Sequence, residues 1–91
     1  MITFPLEFEF AGLIVKATAW KISRIAGSST QYHVYDMEPK FKNVPEVWMF
    51  IHDPKNDKFS FALPSPDLLN LGGAIMHAIR MKCEILEIEL L

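Results

Sequence analysis

The sequence predicts an α+β domain in which a mostly antiparallel, five-stranded meander sheet carries one C-terminal helix on one face. In the first half of the chain, apolar residues alternate with polar residues, as they do in half-buried strands. Clusters of Gly, Pro, Asn and Asp separate these segments, as turns do between consecutive strands. After Pro66 the apolar spacing becomes that of a helix. We expect strands at about 2–10, 13–22, 30–37, 46–52 and 58–63, and a helix at about 66–84.

The first two predicted strands form a hairpin. Every second residue of ITFPLEFEF is apolar. Pro5 has no amide hydrogen to donate, so we expect this strand at an edge of the sheet. If Ala11-Gly12 is the loop, Glu7 lies opposite Lys16, which is a favourable cross-strand pair. Ala-Gly is a weaker turn signal than Asn-Gly, so a longer loop is the alternative.

Three further segments have the composition of strands: QYHVYDM, VWMFIH and FSFAL. The first two are joined by EPKFKNVPE, which has a proline near each end and predicts an irregular crossing. The last two are joined by DPKNDK, in which Pro54 suits the second position of a turn.

The helix is expected to begin after Ser65, a good N-cap residue, with Pro66 at the first helical position. Its apolar stripe consists of Leu68, Leu71, Ile75 and Ile79. The end is ambiguous, because EILEIELL alternates like a strand and also extends the helical stripe. One long helix is favoured, and a short final strand over 85–91 is the alternative.

Two adjacent glycines lie about two turns inside this helix. Phosphate-binding glycines precede a helix, where backbone N–H groups are free, so Gly72 and Gly73 do not form such a loop. Gly72 lies within the apolar stripe. We expect it to let the helix pack closely against small residues of the first hairpin, Ala17 and Ala19. The pattern offers no explanation for Gly73.

Length and composition limit the protein's class. Ninety-one residues form one domain, 1–91. The net charge of −2 and the absence of a motif for stacking bases make nucleic-acid binding unlikely. The single Cys83 cannot form an internal disulfide, which suits a reducing cytoplasm. We also expect no signal peptide and no membrane span, because the chain lacks the required apolar runs.

No pattern of reactive side chains predicts a catalytic or metal site. The three histidines, among them an outer-face His33, lack metal-ligand spacing. DPKND resembles the start of a calcium loop, but no Glu closes it. Cys83, late in the helix, is expected to act as a small apolar residue. We therefore expect no metal and no cofactor, and a non-enzymatic role is favoured over an enzymatic one.

The fourth predicted strand is apolar on both sides, whereas a single helix covers only one face of a sheet. The sequence does not decide which side of this strand faces the helix. If Trp48 and Phe50 lie beneath the helix, Val47 lies on the open face with the four residues that we expect to bind a partner there. These are Trp20, Tyr35, Met49 and Ile51.

The leading hypothesis is a non-enzymatic interaction module that forms a homodimer through the open face of its sheet. The first alternative is a module that binds a small apolar or aromatic ligand between that face and residues 38–46. The second is a small enzyme whose site is completed across a dimer interface. A further alternative is that the open face is covered from within the chain, by residues 38–46 or by the C-terminal tail.

Overall fold

In the computed structural model, the backbone is described at residues 2–22 and 29–90, and the side chains at 2–22 and 29–83. Five strands precede the C-terminal helix α1. A short 3-10 turn, Pro66–Leu68, leads into the helix. The elements are β1 (Ile2–Phe10), β2 (Leu13–Ile22), β3 (Thr30–Glu38), β4 (Val47–Asp53), β5 (Lys58–Phe61) and α1 (Leu69–Leu90).

The five strands form one sheet in the order β1-β2-β3-β4-β5, and each strand is antiparallel to the next. The predicted meander with a single C-terminal helix is confirmed. β5 ends at Phe61, two residues before the predicted end. Immediately after β5, the carbonyl oxygen of Ala62 accepts a hydrogen bond from the Trp48 indole N–H at 2.8 Å. This carbonyl is therefore paired with a side chain rather than with the backbone of β4. Leu63 is exposed.

The β1–β2 hairpin has the register that the sequence predicts. Phe10 lies opposite Leu13 and Glu7 opposite Lys16. Ala11 and Gly12 have φ values of 53° and 76°, as the primed turns of two-residue loops require. The carboxylate of Glu7 lies 3.6 Å from the Lys16 ammonium, but both side chains are exposed, so the ion pair adds little stability.

The hairpin register also determines which backbone groups point away from the sheet at β1. The residues that flank a two-residue loop exchange hydrogen bonds, and the pattern then alternates along the strand. The N–H and C=O groups of Thr3, Glu7 and Glu9 therefore point outward, as does the C=O group of Pro5. Pro5 lacks an N–H where that N–H would have faced outward, so no ladder bond with β2 is lost.

The β2–β3 pairing contains a bulge. Its register shifts between Lys16, opposite Glu38, and Thr18, opposite Tyr35. Asp36 is exposed with a φ of 53°, and Met37 is buried. The bulge inserts one extra residue, which returns the Met37 side chain to the core face.

The hydrophobic core lies between α1 and one face of the sheet. The helical stripe is buried as the spacing predicts, and so are alternate residues of β1 to β4. α1 continues through the ambiguous EILEIEL segment to Leu90. The buried apolar residues are Phe4, Leu6, Val15, Ala17, Ala19, Tyr32, Val34, Met37, Trp48, Phe50, Leu68, Leu71, Ile75 and Ile79.

Gly72 is buried against the sheet, but its nearest neighbour differs from the predicted one. The three atoms closest to a Cβ built on Gly72 all belong to the ring of Phe61 on β5, rather than to Ala17 or Ala19. A Cβ on Gly73 would meet no atom within 4 Å. Ser65 occupies the N-cap position without a side-chain cap bond, and its carbonyl accepts from the Leu68 N–H at 3.0 Å.

Candidate functional site

The face of the sheet opposite α1, called the open face, contains a patch of nine positions where β2, β3 and β4 lie side by side. The register arranges these positions in three rows of three. The rows are Thr18–Tyr35–Val47, Trp20–His33–Met49 and Ile22–Gln31–Ile51. We call these nine residues the central patch.

The orientation of β4 answers the question that the sequence left open. Trp48 and Phe50 are almost fully buried beneath α1, at 1% and 0% exposure. Val47 and Met49 lie on the open face and are 53% and 40% exposed. Ile51, on the same side, is half-buried. β4 therefore presents apolar side chains to solvent as well as to the core.

The four predicted binding residues, Trp20, Tyr35, Met49 and Ile51, all belong to the central patch. Trp20 and Tyr35 are half-buried by their neighbours on the sheet. The structure brings the four residues together from three different strands, because positions two apart on a strand share a face.

His33 occupies the middle position of the central patch. Its ring makes an edge-on contact with Trp20, with 5.6 Å between centroids and 74° between ring planes. Its Nε2 atom lies 3.5 Å from the side-chain oxygen of Gln31. Sequence reasoning placed His33 on the outer face but gave it no role. The sequence does contain a signal for its central position, because His33 lies on the third of five predicted strands and is flanked by apolar residues.

Charged residues border the central patch at both ends of the open face. Lys16 lies between Glu7 and Glu38 at one end. Asp53 lies opposite Lys58 at the other end. Both signs of charge occur at each end. The open face thus has a centre in which apolar and aromatic residues predominate around His33, with a charged border, an arrangement typical of interaction surfaces.

The segment between β3 and β4, residues 39–46, directs its apolar side chains toward the helix side of the sheet. The rings of Phe41 and Phe10 are in edge-on contact, with centroids 5.7 Å apart. Phe41 and Val44 both pack against the core cluster. These two side chains therefore do not cover the central patch. The predicted alternative cover, the C-terminal tail, continues α1 as helix to Leu90.

A cavity of about 420 Å³ lies between the ends of β3 and β4 and this segment. Val34, Met37, Phe41 and Val44 contribute apolar side chains to its wall, and the charged residues Asp36, Lys40 and Glu46 also line it. A wider depression of about 620 Å³ lies between β1 and α1. Small-molecule sites have volumes of about 300–1,000 Å³, so both are large enough for a ligand.

A polar cluster connects the β4–β5 turn to α1. One carboxylate oxygen of Asp57 lies 2.9 Å from His52 Nε2 and 2.9 Å from an Arg80 guanidinium nitrogen. Hydrogen bonds from His52 and Arg80 lower the pKa of Asp57 below its ordinary value of 3.8. The Phe59 ring stacks on His52 and lies 5.1 Å below the Arg80 guanidinium. The cluster holds the turn against the helix.

Cys83 is half-buried, and its Sγ atom lies 3.3 Å from the phenol oxygen of Tyr32. Within residues 2–22 and 29–83, no group of three or more His, Cys, Asp or Glu side chains could hold a metal ion. In the part of the chain that the structure describes, no helix has both the length and the apolar character to cross a membrane.

Comparison with known proteins gives no family. No model of a protein family matches the chain, and no curated protein or solved structure matches it.

Proposed function

We propose that the protein is a non-enzymatic interaction module that forms a homodimer through its open face. The observation that supports this function is the central patch. Its apolar residues form one surface, and no described segment of the chain packs over it. These residues are Trp20, Tyr35, Val47, Met49 and Ile51. α1 occupies the other face of the sheet. A contiguous apolar surface with a polar border usually marks an interaction site.

Both edges of the sheet disfavour association by strand pairing. At the β1 edge, Pro5 removes an outward N–H group, and Glu7 and Glu9 add charge. At the other edge, β5 has only four residues. Proline, charge and short strands are the features that keep edge strands from pairing with other chains. A partner is therefore expected to contact a face of the sheet, and the open face is the one without a helix.

The open face is large enough for an interface at the lower end of the standard size range. Strands lie about 4.8 Å apart and rise about 3.3 Å per residue, so five strands of these lengths cover about 600 Å². A standard interface buries about 800 Å² on each partner. Contact across the whole open face approaches that area, with the central patch as its apolar core and the charged ends as its rim.

A second copy of the same chain fits this surface better than a strongly charged partner does. The open face carries both signs of charge, with the acidic residues Glu7, Glu9 and Glu38 around Lys16 at one end and the Asp53–Lys58 pair at the other. A partner that bears one sign alone would meet like charges on this face. Two-fold symmetric dimers bring the same patch of both copies together, so each central patch supplies the apolar surface that the other needs. The proposal places this dimer in the cytoplasm, which the single Cys83 supports.

Replacing Met49 and Ile51 together by Lys tests the proposal. Both side chains lie on the open face, so the monomer loses little on substitution, whereas a buried, unpaired charge is strongly unfavourable in an interface. The double variant should remain folded by circular dichroism and sediment as a monomer. The matched control is Leu69→Lys with Met81→Lys, which adds two charges at exposed apolar positions of α1.

The control variant should keep the mass of the unmodified protein. If the Met49/Ile51 variant keeps that mass as well, the open face is not the contact between subunits. If both variants lose the dimer equally, added charge alone explains the result.

The cavity beside residues 39–46 supports a second candidate function, the binding of a small apolar or aromatic ligand. Its volume and its wall of Val34, Met37, Phe41 and Val44 favour such a ligand. Val44→Trp should fill the cavity. An aromatic fluorescent probe that binds the unmodified protein should then bind this variant at least tenfold more weakly, and equal binding would exclude the cavity.

A further inference from the structure

A histidine, His33, occupies the middle position of the central patch. His33 lies on the third of five strands and in the second of three rows, with Trp20 and Met49 on either side. In a symmetric face-to-face dimer, the two-fold axis passes between the two patches. An axis near the centre of the patch brings the His33 side chains of the two copies close together and away from water.

We propose that protonation of His33 dissociates the homodimer, so that the open face is an acid-sensitive interface. This inference rests on the proposed function. A histidine side chain changes from neutral to charged in mildly acidic solution. Two imidazolium groups brought together in an apolar interface would repel each other and lose their hydration, whereas two neutral imidazoles would do neither.

The surroundings of His33 contain no charge that would compensate. Trp20 and Met49, its neighbours across β2 and β4, do not ionise. On its own strand, the neighbours on the open face are Gln31, which is neutral, and Tyr35, whose phenol carries no charge in acid. α1 packs on the opposite face of the sheet.

Charged side chains begin only beyond the central patch on this face. Among the described residues they are Glu7, Glu9, Lys16, Glu38, Asp53 and Lys58, together with Asp36, which is exposed at the bulge beside Tyr35. Since both copies carry the same open face, the described residues of the partner copy add the same groups. A carboxylate that could neutralise His33 is therefore absent from the described residues of either central patch.

Thermodynamic linkage gives the size of the effect. Each proton that binds only to the monomer raises the dissociation constant by up to about tenfold for every unit by which the pH falls. The dimer binds fewer protons than two monomers, so acid favours the monomer.

Sedimentation equilibrium of the full chain at pH 7.5 and pH 5.5 tests this inference, with circular dichroism to check that the chain is folded at both values. We expect the dissociation constant of the unmodified protein to rise by at least about tenfold in acid. For His33→Gln and His33→Phe, which cannot be protonated, we expect it to change less than threefold. Two replacements of different polarity keep the test valid if one of them weakens the dimer by itself.

The outcomes separate this inference from the proposed function. A dimer of equal strength at both pH values overturns the role of His33 and leaves the dimer intact. A pH dependence that persists in both His33 variants assigns the effect to other groups and also overturns it. A monomer at every pH and concentration overturns the proposed function, and this inference with it.

Discussion

Gly72 is the position where one added methyl group tests the contact between α1 and the sheet most sharply. A Cβ there would lie 3.0 Å from Cδ2 of Phe61 and closer still to two other ring carbons. The ring is itself held between neighbours, since its centroid lies 5.7 Å from that of Trp48 and 5.2 Å from that of Phe50. Overpacking costs about 1–3 kcal/mol. Replacing a helical Gly by Ala returns about 1 kcal/mol of helix propensity. Gly72→Ala should therefore lower the free energy of unfolding by about 0–2 kcal/mol.

Gly73→Ala is the matched control, because the same substitution one residue away meets no atom within 4 Å. It should raise the free energy of unfolding by about 1 kcal/mol through helix propensity alone. The two variants should then differ by about 1–3 kcal/mol, the overpacking cost at Gly72. At this chain length each kcal/mol shifts the melting temperature by about 4–8 °C.

Urea denaturation and thermal melting, both followed by circular dichroism, measure this difference. Equal stability of the Gly72→Ala and Gly73→Ala variants would refute close packing at Gly72. A second test adds Phe61→Leu to Gly72→Ala, because a smaller side chain on β5 should relieve part of the overlap. Additive effects of these two substitutions would show that the two positions do not touch.

Three other predictions concern the surface, the cavity and metals. Asp57→Asn should destabilise the protein at pH 6, because the lowered pKa of Asp57 stabilises the fold above the ordinary value of 3.8. That stabilisation disappears as the pH falls through the lowered pKa. In urea titrations, the free energies of unfolding of the variant and the unmodified protein should therefore converge toward pH 3. A difference that stays constant with pH would contradict the role of the carboxylate. Val44→Leu should bind an aromatic probe less tightly than the unmodified protein but more tightly than Val44→Trp. Fluorescence titration measures the three affinities, and any other order would count against binding in the cavity. Chelator treatment should change neither the melting temperature nor the sedimenting mass, whereas a loss that zinc restores would reveal a metal site.

The first hairpin could be predicted in detail because all the necessary information is local. Alternation assigns a face to each residue, and a two-residue loop then determines every cross-strand pair, including Glu7 with Lys16. The buried stripe of the helix could be predicted for the same reason, since the positions that share a face follow from 3.6 residues per turn. The meander itself follows from short, turn-rich connections between consecutive strands.

The partner of Gly72 could not be predicted, because it depends on how α1 lies across the sheet. Small residues on the first hairpin suggested Ala17 and Ala19, yet the helix places Gly72 over Phe61 at the other side of the sheet. The bulge at Asp36, by contrast, leaves a signal in the sequence, because Asp36 stands two residues after buried Val34, where strict alternation calls for an apolar residue, and apolar Met37 follows it. For β4, both faces are apolar, so alternation alone could not choose between them.

The residues of the central patch could be predicted more readily than its arrangement. Alternation placed Trp20, Tyr35, Met49 and Ile51 on one face once the orientation of β4 was assumed. Their order across three strands requires the register of two long-range pairings, which the intervening loops do not determine. The central position of His33 follows only from that register.

The mass of the unmodified protein in solution tests the proposed homodimer most directly. Sedimentation equilibrium at pH 7.5 over a wide range of protein concentration should show a transition from the chain mass of 10.4 kDa to twice that value. A constant mass of 10.4 kDa up to the highest soluble concentration would contradict the homodimer.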